Sequence, residues 1–293
     1  MDLRILRYFL TVVREGTITR AADVLHITQP TLSRQLAQLE KDLGIKLFEH
    51  QGRRVVLTPN GFLLRRRAEE LLELAEKTEQ ELTHSEETVH GTVSIGYGEI
   101  GAMNHLARCI SDFCDLYPLV RFSLFSGTAP EIRERMDRGL ADLGLLLDPV
   151  ETDEYDYVRM NCTERHAAFM RPDDPLAQKE RLFPEDFAGK PLILSRRGLN
   201  SIRNWMGSHF QEENVRYMIN LPTMGAVLAA EGKGYMLVIE DCLPLRDPTK
   251  LVARPLAGYQ ESHSLLAWKH NQPFSQATTR FIEHVKMFWG TVI

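Results

Sequence analysis

Leu3, Leu6, Phe9, Leu10 and Val13 recur at helical spacing near the start of the chain, and Gly16 follows as a stop, so the pattern predicts an amphipathic helix. Thr17 is placed to cap a second, short helix over ITRAADVLH, in which Ala21 and Ala22 permit close packing while Val24 and Leu25 face a core. Thr28 caps a third helix. Pro30 sits in its first turn, where the missing N–H costs nothing, and Gly44 ends it in a left-handed cap. Leu32, Leu36, Leu39 and Leu43 form one face of this helix; Thr31, Arg34, Gln35 and Gln38 form another, which carries no carboxylate. An ordinary solvated face would mix in Glu and Asp, as Glu40 and Asp42 do at the far end. A short helix, a turn and a longer helix with such a face form a helix-turn-helix. Its side chains suit base edges, since Arg pairs with guanine, Gln with adenine, and Thr meets the thymine methyl.

The next stretch, IKLFEHQGRRVVLT, alternates as a hairpin does, with its turn at His50-Gln51-Gly52 and with Arg53 and Arg54 opening the return strand. A basic hairpin beside a recognition helix is a wing, and its arginines would meet phosphates or the minor groove. Thr58-Pro59 then starts a long helix in which Leu64, Ala68, Leu71, Ala75, Thr78 and Leu82 repeat as a heptad seam, predicting dimerisation. Arg65, Arg66 and Arg67 flank the seam and lie close enough to the wing to help hold DNA. A boundary falls near Glu86 to His90. Beyond it, strand-like runs (TVSIGY, VRFSLF, ADLGLLL, RHAAFMR, PLILS, VRYMINL, YMLVIE, ESHSLLAWK) alternate with helical ones (Met103 to Leu116, Pro130 to Arg138, Asn200 to Glu212, Pro222 to Glu231, Ser275 to Phe288). That alternation predicts an α/β body of parallel sheets with crossover helices.

Charge sharpens the division. Residues Met1 to Arg67 hold 12 Lys and Arg against 6 Asp and Glu, a balance of +6, which leaves −11 for the rest of a chain whose net charge is −5. A basic head on an acidic body suits a polyanion-binding module joined to something else. The 293 residues are enough for two cores, and 43% hydrophobic with 26% charged residues is the composition of a soluble globular protein. No apolar run reaches a membrane span, and Arg4 and Arg7 interrupt any signal-peptide pattern, so we expect a cytoplasmic protein without a membrane partner. The four cysteines, Cys109, Cys114, Cys162 and Cys242, show no metal-ligand or disulfide spacing, so no metal is expected.

Together, Ala21-Ala22, Leu25, Gln29-Pro30, Leu32-Ser33, Leu36, Leu39-Glu40, Leu43-Gly44, Leu47-Phe48 and Thr58…Gly61 resemble the N-terminal signature of LysR-type transcriptional regulators. Ile18 stands where the family usually has Phe, and His50 where it usually has Arg. The resemblance implies an α+β winged helix-turn-helix domain over residues 1–58, a linker dimerisation helix over 59–88, and an α/β effector-binding domain over 89–293. The last would be two-lobed, like periplasmic binding proteins, with lobe I about 89–161 and 261–293 and lobe II about 162–260. It further implies a regulator of transcription, activator or repressor, that binds double-stranded DNA as a homodimer or homotetramer, with RNA polymerase as a further partner. Thr31, Arg34, Gln35 and Gln38 would enter the major groove, Gln29, Pro30 and Ser33 would approach the backbone, and Arg53 and Arg54 would serve the wing. The dimer would rest on Leu64, Ala68, Leu71, Ala75 and Leu82.

One motif points elsewhere. Gly96, Gly98 and Gly101 spell G-x-G-x-x-G after an apolar run, as in an NAD(P)-binding oxidoreductase. The carboxylate such a site needs at the end of the next strand is missing, since VRFSLFSGT ends in Ser126, Gly127 and Thr128, and no other catalytic constellation is visible. We therefore expect no enzyme and no cofactor. The loop is instead expected to offer backbone N–H groups to an effector of unknown identity, with Gly98, Glu99, Gly101, Ala102, Thr128, Leu147, Ser195, Arg196 and Thr223 lining a cleft between lobes. Arg196 suits an anionic ligand; Glu99 does not.

Overall fold

The computed structural model describes residues 2–51, 54–82, 89–148 and 154–290, and the chain divides into two compact units, Met1–Ser85 and Glu86–Ile293. In the first unit, α1 (Leu3–Glu15) starts where Asp2 accepts the N–H of Arg4 and stops at Gly16, whose φ of 68° is left-handed. The short α2 (Ile18–Val24) is capped by Thr17, which accepts the N–H of Arg20, and it buries Ala21 and Ala22. The third helix, α3 (Gln29–Leu43), buries Leu32, Leu36 and Leu39 and ends at Gly44. Its N-cap Thr28 makes no side-chain bond to the backbone; the hydroxyl meets that of Thr31 at 2.8 Å instead.

The wing is the antiparallel pair β1 (Phe48–Gln51) and β2 (Arg54–Leu57), in which Gln51 faces Arg54. His50 and Gln51, expected in the turn, are strand residues paired with Val55 and Arg54, because antiparallel pairing extends to the end of β1. Glu40 anchors the base of the hairpin: Oε1 accepts from the N–H groups of Leu47 (2.7 Å) and Phe48 (3.2 Å), and Oε2 meets Lys46 Nζ at 2.7 Å. Burial opposes its ionisation, but these donors outweigh burial and hold its carboxyl below the ordinary range.

The long α4 (Pro59–Leu82) packs on α1. Ala68 and Leu72 are buried in the core of this same unit with Leu6, Phe9 and Leu36, and Leu64 packs against them. This corrects the predicted seam. Leu64 and Ala68 face their own domain, whereas Leu63, Leu71 and Leu74 stay exposed on a second apolar stripe. The side chain of Leu82 lies outside the described residues.

Among its described residues the second unit forms two five-stranded sheets. Lobe I is built from β3 (Gly91–Tyr97), α5 (Met103–Leu116), β4 (Val120–Ser126), α6 (Ala129–Asp137), β5 (Leu143–Leu147) and β6 (Tyr155–Glu164). The chain then enters lobe II: β7 (His166–Met170), β8 (Leu192–Ser195), α7 (Leu199–Met206), β9 (Val215–Ile219), α8 (Pro222–Ala230), β10 (Tyr235–Ile239) and β11 (Val252–Pro255). It returns to lobe I as β12 (Ser262–Lys269) and α9 (Gln276–Trp289), and α9 packs on β3 and β6. The sheet orders are β4-β3-β5-β12-β6 and β11-β7-β10-β8-β9.

These sheets are mixed, not purely parallel. β3 runs parallel to β4 and β5, but β12 is antiparallel to β5 and β6, and β7 is antiparallel to β10 and β11. The physical reason is the double crossing, since strands that carry the chain into and out of a lobe run against those joined by crossover helices. β6 and β11 lie outside the runs expected from sequence. β6 is polar at Asp156, Arg159, Asn161 and Thr163, and the crossing falls at Arg165, beyond Cys162.

Candidate functional site

Two surfaces carry the candidate chemistry. On α3, Gln29, Pro30, Thr31, Arg34 and Gln38 are exposed, Ser33 and Gln35 are half-buried, and the leucines beneath are buried. Gln29 Nε2 donates to Ser33 Oγ at 3.0 Å and Gln38 Nε2 to Asp42 Oδ1 at 2.6 Å. Arg34 and Gln35 make no side-chain hydrogen bond among the described residues, so the guanidinium keeps its donors for a partner. Arg54 is exposed at the start of β2, and Arg53 lies outside the described residues.

The second surface is a cleft of about 820 Å³ between lobes I and II. Lobe I contributes Gly98, Glu99, Thr128, Leu147 and Asp148; lobe II contributes Ser195, Arg197, Ser201, Trp205 and Asn220; His166, Tyr259, Gln260 and His263 lie near the crossings. His166 stacks on Tyr259 with ring centroids 4.1 Å apart, and burial lowers its pKa to about 4, so it is neutral at physiological pH. Its Nδ1 is buried without a hydrogen-bond partner. Arg197 is exposed at its surface, yet the protein atoms crowded around it and the positive charge of Arg133 hold it below its ordinary basicity.

Of the expected effector contacts, Gly98, Glu99, Thr128, Leu147 and Ser195 line this cleft, and Gly101, Ala102, Arg196 and Thr223 do not. Arg197, one position further along the loop after β8, lines the cleft instead of Arg196. Thr223 acts on the cleft indirectly, because its Oγ1 donates to Glu99 Oε2 at 2.8 Å across the lobes. The hydroxyls of Thr128 and Ser195 are already engaged, the first with Glu131 Oε2 at 2.6 Å and the second by the N–H of Gly198 at 3.0 Å.

The N–H groups of the glycine loop are also spoken for. Glu164, buried at the end of β6, accepts from Gly101 N at 3.0 Å and Ala102 N at 2.8 Å and also from Ser264 Oγ at 2.7 Å. An internal carboxylate therefore occupies the anion site that a pyrophosphate or an effector would have used. Gly96 and Gly101 answer to packing: a Cβ on Gly96 would lie 2.8 Å from Ile132 Cγ2, and one on Gly101 would lie 2.7 Å from Glu164 Oε2.

A helix-turn-helix and wing in one unit and a two-lobed cleft in the other match known families in the same order. The family described as "Bacterial regulatory helix-turn-helix protein, lysR family" matches residues 3–62, and "LysR substrate binding domain" matches residues 86–289. The chain belongs to the LysR family. This LysR-type protein is 30% identical over 230 residues to the HTH-type transcriptional regulator YybE of Bacillus subtilis, covering 78% of each chain. It is 27% identical over 281 residues to the Hca operon transcriptional activator HcaR of Escherichia coli, covering 93% of each. The fold is that of CbnR, solved in complex with its target DNA, with a TM-score of 0.77 at 21% identity over 98% of this chain and 99% of that one.

The chain is accordingly a DNA-binding transcriptional regulator with an effector-binding domain, and nothing supports the oxidoreductase alternative. No described helix is long and apolar enough to cross a membrane, and no group of three metal-ligating side chains occurs among the described residues. The thiols of this LysR-type regulator are held away from the reactive thiolate. Burial and Asp112 push Cys109 up to about 12, burial and Glu99 push Cys242 to about 12, and burial and Glu164 push Cys162 to about 11. His166, Arg197, Trp205 and Tyr259 also line the cleft and were not among the residues expected there. Trp205 and Tyr259 meet at the cleft only through the fold, with Trp205 Nε1 donating to the carbonyl of Ala257 at 2.8 Å, so no local pattern marks them.

Proposed function

We propose that α3 reads operator DNA through the major groove with Thr31, Arg34, Gln35 and Gln38, while Gln29, Pro30 and Ser33 meet the backbone and Arg53 and Arg54 serve the wing. The observation that carries this reading is the exposed, carboxylate-free face of α3, on which Arg34 has no partner among the described residues. Two such heads are joined in a homodimer, and pairs of dimers in a tetramer, with the exposed stripe Leu63, Leu71 and Leu74 of α4 as the contact. A small-molecule effector enters the cleft between lobes and changes the closure of the lobes, and with it the disposition of the heads on DNA. The protein works in the cytoplasm, where its DNA is, contacts RNA polymerase at its promoters, and catalyses no reaction. The test is an electrophoretic shift with the full chain on its own upstream DNA against a scrambled fragment, over a salt series. Preferential retention of the upstream fragment, with affinity falling as salt rises, supports the reading. Equal affinity for both fragments, or none, refutes it.

A further inference from the structure

Of the charged side chains that line the cleft, two carboxylates already have counter-charges. Asp148 Oδ2 meets Arg159 Nη2 at 2.9 Å, and Glu261 Oε1 meets Arg165 Nε at 3.1 Å. Glu99 is different. Its Oε2 accepts from Thr223 Oγ1 at 2.8 Å and its Oε1 from Ser126 Oγ at 3.3 Å, both neutral hydroxyls, and no cation pairs with it among the described residues. The carboxylate is half-buried and has no counter-charge among the described residues. Arg197 is the converse case on the other lobe. It lines the same cleft, is exposed to it, and makes no hydrogen bond or ion pair among the described residues. The wall around these two charges includes Ile100, Leu147, Leu221, Trp205 and Tyr259.

We infer that the cleft takes a dipolar small molecule, with a cationic group on Glu99, an anionic group on Arg197 and an apolar body against the aromatic and aliphatic wall. The inference rests on the reading of the cleft as the effector site and adds the chemical class of the ligand. A carboxylate has lone pairs left after one hydroxyl per oxygen, and an ammonium brings three donors to them. A simple anion would satisfy Arg197 but leave Glu99 desolvated and repelling it; a simple amine would do the reverse. A molecule carrying both charges compensates both lobes at once.

The test uses the full chain, with calorimetry and thermal melting against γ-aminobutyrate, δ-aminovalerate, ε-aminocaproate and 4-(aminomethyl)benzoate. Each is compared with the amine and the carboxylate that lack one of its charges. At least one amino acid is expected to bind about tenfold or more tighter than both of its parents. Glu99→Gln should weaken that amino acid and the parent amine by about tenfold and spare or improve the parent carboxylate; Arg197→Gln should weaken the amino acid and the carboxylate and spare the amine. Both replacements keep the side-chain framework, and melting without ligand checks that they fold. Parents that bind as tightly as the amino acids, no binding by any probe, or affinities indifferent to both replacements would overturn the inference. Gly98→Trp separates this from the reading beneath it, since a Cβ at Gly98 meets only Ile100 Cγ2 at 3.7 Å and the indole would fill the cleft. A probe bound with equal affinity by that variant refutes the cleft itself as the site. A parent anion whose binding is lost in it leaves the cleft standing and removes the dipolar ligand.

Discussion

The carboxylate of Glu164 and the N–H of Ala102 are 2.8 Å apart, a bond that ties the end of β6 to the entry of α5 across 62 residues of sequence. The neighbouring N–H of Gly101 goes to the other oxygen, so the positive end of α5 is closed by the protein itself.

That closure separates two glycines of one motif. Gly101→Ala should destabilise the larger unit by about 1–3 kcal/mol, because its Cβ would lie 2.7 Å from Glu164 Oε2 and 3.0 Å from Asp241 Cβ. Gly98→Ala, with nothing nearer than 3.7 Å, should be close to neutral. Thermal or urea unfolding of the two variants decides the matter; equal effects would mean that packing is not what selects glycine at Gly101.

The two stripes of α4 differ in the same testable way. Leu71→Glu, on the exposed stripe, should shift the mass in sedimentation toward the monomer and weaken DNA binding while leaving the melting of the head intact. Ala68→Glu should instead unfold the head, since Ala68 is fully buried in its core and an unpaired carboxylate there costs several kcal/mol, on the order of 3–5. A Leu71→Glu protein of unchanged mass would place the dimer contact elsewhere.

What was legible in the sequence was local. Gly16, Thr17, Gly44 and Pro59 announce helix ends by their own backbone chemistry, and the leucines of α3 give its core face by spacing alone. What was not legible depends on distant partners. Ala68 reads as a dimer position until α1 is seen to cover it, and the loop N–H groups look available until Glu164 is found on them. Arg196 and Arg197 are adjacent and identical in type, so only the path of the loop after β8 says which one enters the cleft.

His166 makes the stability of the larger unit depend on pH. Its folded pKa of about 4 lies below the ordinary 6.5, so the unfolded chain takes up a proton first as pH falls. Its contribution is fully present above about pH 6.5 and is lost progressively toward pH 4, a change of about 3 kcal/mol. His166→Phe keeps an aromatic ring against Tyr259 and should flatten the stability profile over that window. A wild-type profile matched by the variant would remove His166 as the cause.

The central claim, that the polar face of α3 reads DNA sequence, is tested most directly by titrating Arg34→Ala against the chain's own upstream DNA and against random DNA of equal length at one salt concentration. The expected result is a loss of about 1–3 kcal/mol on the upstream site with little change on random DNA, because a bidentate base contact carries sequence information and a phosphate contact does not. An equal loss on both DNAs, or no loss on either, would contradict it.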